Sequence, residues 1–554
     1  MPDLLFLLSA ALLIIGAGVA GVTYRQNRRV GWLTAAFTGA LAAALVGGAR
    51  LAGTAPARLF ARETPTEAMP ADGALALSGY VDGAAWQVSV AILFLVVAVS
   101  LYRAAGAEAS ADRAGPGLYL LLLLSALSVL WAATLQTLII AWTLFILLWS
   151  LFLFRPARAA GLYRLGGGWL SLFLLWLGAA TLAIVSPAVA HAAGWGTGSW
   201  PLLTRSLLLA AALLQLGVYP LHLWRPLNPR LNREFSPTAA ALVHTLPAAG
   251  GALLLARLVA DSAVARDFAL PLTLIALLTL LVAAAQMWRR RSAQAIIALL
   301  VLAQSGIILL SAVWGDADAT LAEARVLLLA GGLLFLVSGY SSAREPAPAG
   351  SSTTQLIMQS ALLFAVATLA GFPPTAGFSG RAAVYSAWLD AGHWLLIVVT
   401  AVLHLALVAA ALTTLHPLWS ARATREGEAP PSSPPPSLPA TTAAALLLPV
   451  LGLFSLAGLE ALSLATVLAV ALPLAGGAML ARLMADRPEA LSDLTRVAGD
   501  ALRLQVPRPP AAGIRPWPSI GDAVRQAATL LEGESGLLWL LLLLILTWLT
   551  FFSV

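Results

Sequence analysis

The sequence predicts an all-α integral membrane protein of about sixteen transmembrane helices, with two inverted five-helix repeats and two broken helices. Three observations carry that prediction. Of 554 residues, 60% are hydrophobic and only 10% are charged, and mean hydropathy is +0.88; a soluble domain carries about 25% charged residues. The apolar residues gather in runs of about 20, the length at which a helix crosses a hydrocarbon core. The arginines concentrate in alternate connectors between those runs, the charge pattern of a multi-pass chain.

The first run, "DLLFLLSAALLIIGAGVAGV", has no basic leader and is followed by Arg25, Arg28 and Arg29. It reads as a spanning helix rather than a cleaved signal. Further spans follow near 31–52, 86–105, 117–135, 137–155, 168–190, 202–222, 238–258, 268–287, 293–313 and 321–341. An interrupted span covers 353–390, and spans near 393–415, 440–458, 460–482 and 534–553 complete the set. Odd connectors carry arginines such as Arg103, Arg113, Arg155, Arg158, Arg225, Arg230, Arg289, Arg290 and Arg291. Even ones are poorer: "AAGWGTGSW" is uncharged and "DADATLAE", after the tenth span, is acidic on balance. Odd connectors then face the cytoplasm and both termini lie outside.

Two connectors, "SAREPAPAGSST" and "ATREGEAPPSSPPPSLP", read as irregular linkers. The 485–530 segment holds two amphipathic stretches around the proline-rich "PRPPAAGIRPWP". It predicts helices on the cytoplasmic membrane surface, or a strap over a neighbouring subunit. Four regions follow: N-terminal helices over 1–112, a first repeat over 113–262, a second over 263–420, and C-terminal helices with the surface segment over 421–554.

The breaks come from proline and glycine. In "GFPPTAGFSGR", Gly371 to Arg381, the tandem Pro373-Pro374 stands with Gly371, Gly377 and Gly380 inside an apolar run. Proline removes a backbone donor and clashes with the preceding turn. In lipid such backbone is tolerated only inside protein or along a hydrated cavity. Arg381 follows the break; it either faces the bundle interior or reaches the headgroups. An earlier break is predicted near 217–222 in "LLQLGVYPLHLWRP", with Gly217 and Pro220 beside Gln215 and His222. Paired broken helices in corresponding halves mark a transport path. His244 in "ALVHTLPAAGG" precedes Pro247, also read as a break, and is either a titrating path residue or a hydrogen-bonded core histidine. His404 in "TAVLHLALVA" and the polar notch Gln304-Ser305-Gly306 are weaker candidates.

Several chemistries are excluded. There is no cysteine, so no disulfide, thiolate zinc site or iron–sulfur cluster sits on this chain. Neither a metal site nor a cofactor is expected, and redox chemistry would belong to a partner. All 32 basic residues counted as Lys+Arg are arginine; arginine holds a fixed charge, where a buried lysine can release its proton. The net charge of +7 is scattered over short connectors, so it is no nucleic-acid footprint. No nucleotide loop or nucleophile constellation is present, and no catalysis is expected of the chain alone.

These residues carry a resemblance. "YPLHLWRP…EFSPTAAALVHTLPAAGG" resembles the seventh-to-eighth-helix signature of antiporter-like membrane subunits. "LAGFPPTAGFSGR" is similar to their broken twelfth helix, and "YVDGAAWQVSVAILFLVVAVSLY" to their third. The family includes pumping subunits of respiratory complex I, Mrp-type cation/proton antiporter subunits, membrane-bound hydrogenase equivalents and the membrane half of some inorganic-carbon uptake complexes. The likeness covers about 78–415. It implies a subunit that moves protons or monovalent cations beside other integral membrane subunits, in the inner membrane of a prokaryote. It also implies a place in an NADH:quinone oxidoreductase-like complex. The resemblance assigns the path to a helix 5 glutamate, here Thr143; a helix 7 lysine, here Gln215; the eighth-helix histidine, His244; and the twelfth-helix lysine, here Arg381. The family's eleventh-helix polar site falls in "LLLAGGLLFL", which has no ionisable group. With so few titratable positions kept, two other roles stay open: a non-pumping docking subunit, and the membrane half of an inorganic-carbon uptake complex.

Overall fold

The computed structural model describes residues 2–52, 57–59, 79–81, 83–104, 115–154, 158–185, 200–224, 235–259, 267–289, 293–342, 352–373, 375–420, 447 and 463–485. The 485–530 segment beyond its first residue, both linkers almost entirely, most of 440–458 and the run near 534–553 lie outside them.

The described chain is helical, in this order: α1 (Pro2–Gln26), α2 (Arg28–Ala52), α3 (Gly83–Ala104), α4 (Pro116–Trp131), α5 (Leu135–Phe154), α6 (Arg158–Val185), α7 (Leu202–Leu216), α8 (Pro237–Val259), α9 (Ala269–Arg289) and α10 (Ala293–Trp314). Then α11 runs as Ala317–Val326, a π-helical turn Leu327–Gly331 and Gly332–Ser342. It is followed by α12 (Ser352–Ala370), α13 (Ala376–Asp390), α14 (Trp394–Ser420) and α15 (Leu464–Ala485). Among the described residues, eleven helices are long and apolar enough to cross a membrane, and three shorter apolar helices accompany them. One departure from pure helix is a two-stranded antiparallel ribbon, β1 (Ala57–Leu59) with β2 (Gly79–Val81), pairing Ala57 with Val81 and Leu59 with Gly79. An aromatic and a β-branched residue, Tyr80-Val81, favour extended backbone there.

Local chemistry explains the helix starts. Asn27 Oδ1 accepts from the Arg29 and Val30 amides at 2.9 and 3.3 Å, so the chain turns straight from α1 into α2. Ser236 Oγ accepts from the Ala239 amide at 3.2 Å, and Pro237 opens α8 where its missing donor costs nothing. Asp316 Oδ1 accepts from the Ala319 amide at 2.6 Å and starts α11. That start corrects the sequence expectation: "DADATLAE" is not a connector. Its first aspartate is a cap, and the rest already winds as helix.

α8, α10 and α11 are the most enclosed rods; all but a few of their residues are buried. α8 packs against α3, α4, α7, α10 and α11, and α11 packs against α3, α8, α10 and α13. Arg257, in the last turn of α8, donates to the Leu130 carbonyl at 2.8 Å and to the Ala132 carbonyl, covering the end of α4. Outer helices turn apolar side chains outward: Ile15 on α1, Phe37 on α2, Phe173, Trp176 and Ile184 on α6, and Leu395 on α14. In water such a surface would be a liability; against lipid tails it is the expected coat.

Both breaks near 217–222 and 371–381 are present. Pro247 is a correction. α8 runs unbroken from Pro237 to Val259 through it, because a proline is tolerated inside a membrane helix that neighbouring helices enclose.

Candidate functional site

α7 stops at Leu216 because Gly217 takes φ +68° and its amide returns to the Leu213 carbonyl at 2.9 Å. The single left-handed cap satisfies one terminal carbonyl. The chain then passes Pro220 into a short 3-10 turn, Leu221–Trp224, and the Tyr219 amide donates to Thr279 Oγ1 of α9 at 3.1 Å. Gln215 is buried at the end of α7. His222 stacks on Tyr219 with ring centroids 5.1 Å apart.

The second break is built differently. Gly371 takes φ +76°. The Phe372 amide reaches back to the Ala367 carbonyl at 2.9 Å, and the Gly371 amide to the Thr368 carbonyl at 3.0 Å. This paired return is a Schellman ending. It satisfies two of the last carbonyls of α12 and leaves that of Leu369 over. α13 begins at Ala376 after an extended Thr375. Arg381, in its second turn, folds back over the gap. Its guanidinium donates to the Gly377 carbonyl at 2.7 Å and to the Leu369 carbonyl. The side chain is 3% exposed, so of the two readings of Arg381 the interior one holds.

The guanidinium meets a partner the sequence reading missed. Glu323, nearly two turns into α11 and fully buried, places Oε2 4.0 Å from an Arg381 terminal nitrogen. Gln304 of α10 joins them. Its amide nitrogen donates to Glu323 Oε2 at 2.5 Å and to the Glu323 carbonyl at 3.1 Å, and its oxygen accepts from Arg381 at 3.1 Å. The amide can sit only this way round, because carboxylate and carbonyl accept while guanidinium donates. Gly380 makes room: a Cβ there would fall 2.5 Å from Glu323 Cγ and Oε1. Three helices thus contribute one carboxylate, one amide and one guanidinium at the edge of a helix gap.

A cavity of about 30 Å³ opens beside this cluster, lined by Gln304, Arg381 and His404 with Leu280, Val366 and Leu407 among its apolar walls. That is room for about two water molecules. Two buried polar atoms of the cluster, Glu323 Oε1 and Arg381 Nε, have no hydrogen-bond partner among the described residues. Taking two charges out of water costs several kcal/mol per ion before their attraction is counted. The arrangement is therefore expensive to keep inside a membrane bundle.

Of the residues picked out by sequence, Arg381, Gln304 and His404 come together here. His244 is buried in α8 and stacks on Phe335 of α11, centroids 4.9 Å apart and planes 10° from parallel. Gln215 and His222 belong to the first break. Thr143 donates to the Ile139 carbonyl of its own helix at 2.7 Å and is only half-buried. The stretch "LLLAGGLLFL" indeed holds no ionisable group, but Glu323, earlier in the same helix, supplies one. The signal was Asp316: a capping aspartate ahead of a small-residue and apolar run marks a helix start.

Residues 93–406, more than half of the chain, match the family model described as NADH:quinone oxidoreductase/Mrp antiporter, TM. NADH-quinone oxidoreductase subunit N 2 of Solidesulfovibrio magneticus is 28% identical over 203 residues, which are 35% of this chain and 43% of that protein. The match therefore spans less than half of that relative's length. A chain in the Mrp complex structure from Dietzia sp. superposes over 98% of this chain and 62% of its own, with TM-score 0.66 and 17% identity. A chain of the archaeal membrane-bound sulfane sulfur reductase covers 81% of this chain and 76% of its own, with TM-score 0.63 and 17% identity. One of respiratory complex I from Thermus thermophilus covers 85% of this chain and 98% of its own, with TM-score 0.58 and 20% identity. At such identities the structural likeness establishes the fold. With the family model, it makes this chain a multi-pass member of the NADH:quinone oxidoreductase/Mrp antiporter transmembrane family.

Proposed function

We propose that this chain is an ion-translocating antiporter-like subunit of a complex I-, Mrp- or reductase-like membrane complex. It moves protons or monovalent cations in the membrane of a prokaryotic cell. Its two broken helices take corresponding places in inverted repeats, spans 4–8 and 9–13. The observation that carries the reading is the Glu323–Gln304–Arg381 cluster at the α12–α13 gap.

The chemistry follows from the charges. Arg381 keeps its proton, so it is a fixed positive charge. Glu323 can accept and release one. A proton on Glu323 removes the counter-charge of a buried guanidinium, and loss of that proton restores it. Gln304 passes the change between the two, since it touches both. The two-water cavity beside Arg381 and His404 supplies a hydrated step on the α14 side.

Proton flux in proteoliposomes holding the chain with its copurified partners tests the reading. Glu323→Gln should lower flux at least tenfold while the complex stays assembled. Unchanged flux in that variant would remove the site from the path. A second reading, a docking subunit without transport, is favoured by Thr143 and Gln215 standing where the resemblance expects titratable groups. It predicts that Glu323→Gln and Arg381→Ala disturb assembly, seen by copurification in mild detergent, with no flux to lose.

A further inference from the structure

The gap between α12 and α13 has the makings of a metal-cation cradle. Where membrane helices unwind, freed backbone carbonyls coordinate sodium. Here the Leu369 carbonyl at the end of α12, the Gly377 carbonyl in the first turn of α13, the Gln304 side-chain oxygen and the Glu323 carboxylate line one site. A guanidinium already fills it: Arg381 donates to the Leu369 carbonyl, to the Gly377 carbonyl at 2.7 Å and to Gln304 Oε1 at 3.1 Å, with Glu323 Oε2 at 4.0 Å. The Schellman ending consumes the Ala367 and Thr368 carbonyls, so few other backbone oxygens at the gap are free for an ion.

We infer that Arg381 is a tethered resident cation occupying an oxygen cradle that would otherwise take an alkali metal ion, so that this site serves protons and excludes sodium and potassium. The inference rests on the proposed transport role for its selectivity half, and on geometry alone for its binding half. The guanidinium is held by four oxygens and by its own chain, so a free ion would have to displace a charge that cannot leave. Glu323 is the group in the cluster able to change charge, and a proton fits where a hydrated alkali ion does not. Removing the guanidinium should uncover the cradle. Its four oxygens would then face an empty, net-negative pocket suited to guanidinium or sodium.

The test has a binding arm and a flux arm, both on the full chain with its copurified partners. In the first, thermal midpoints are read in choline, sodium, potassium and low-millimolar guanidinium chloride at matched ionic strength. Wild type should show the same midpoint in all four. Arg381→Ala should melt lower and regain several degrees in guanidinium or sodium, not in choline. In the second, wild-type proton flux should agree within twofold across the sodium, potassium and choline salts, with no uptake of radioactive sodium. Sodium-dependent flux or sodium uptake by wild type overturns the inference, as does a folded Arg381→Ala that gains nothing from any cation. If Arg381→Ala fails to fold, sodium stabilisation of wild type decides: its presence overturns the inference, its absence supports it. Absence of proton flux in every salt defeats the transport reading and leaves the cradle to the binding arm.

Discussion

Glu323 and Arg381, from helices separated in sequence by the α11–α12 linker, face one another at 4.0 Å with the Gln304 amide hydrogen-bonded to both. The pair is neutral as a unit and each half is costly alone. That asymmetry governs what mutations do.

Breaking the pair from one side should cost far more than removing it. Glu323→Leu, which strands the guanidinium, should destabilise by about 3–5 kcal/mol, whereas Glu323→Leu with Arg381→Met should fall well short of the sum of the two single changes. Reversible unfolding in detergent measures both, and additive losses would show that the two groups do not interact.

Gln304→Leu keeps the volume and removes the bridge. It leaves a buried carboxylate and guanidinium short of one partner each, at about 1–3 kcal/mol. Proton flux should drop with it. Gln304→Glu should behave differently from Gln304→Leu, because a second carboxylate beside Glu323 competes for Arg381; a flux assay of the two variants side by side reads the difference.

Gly380→Ala inserts a methyl group into the space that Glu323 uses. The carboxylate must shift, at about 1–3 kcal/mol for overpacking, and the 4.0 Å approach should lengthen. Gly371→Ala acts by another route: a left-handed φ of +76° penalises any Cβ, by about 1–2 kcal/mol. Both variants should reduce flux in proportion to their loss of thermal stability if the gap geometry is what matters.

Thr143→Ala is the control. Its hydroxyl is bonded within its own helix, so flux should be unchanged and stability should move by less than about 0.5 kcal/mol. His404→Leu tests the cavity wall. It should lower flux severalfold with the fold intact, because a two-water space that loses one polar wall holds water less readily.

The second helix gap was legible in the sequence because a tandem Pro373-Pro374 removes two successive backbone donors just after Gly371, a residue free to take the left-handed turn that ends a helix. Arg381 was legible too, since an arginine after such a gap stands out in an apolar run. Glu323 was not. Acidic letters between two spans look like a loop, and the reading of "DADATLAE" treated three charges alike. Asp316 caps, Asp318 sits in the first turn where the helix dipole favours an anion, and Glu323 is already two turns deep. Gln304 reads as ordinary helix packing until its neighbours are known, because an amide has no signature of its own. Pro247 misled in the opposite direction, since its effect depends on how tightly neighbours enclose the rod.

The π-helical turn at Leu327–Gly331 has a bearing on how this chain is aligned with its relatives. A π turn accommodates one residue more than an α turn. Positions on its two sides are therefore out of phase by about 100° of rotation. Glu323 lies on one side of that slip, and Phe335, against which His244 stacks, on the other. Counting by threes and fours from one to the other lands on the wrong flank of the rod. Any functional position carried onto the second half of α11 from a straight-helix relative should be moved by one letter first.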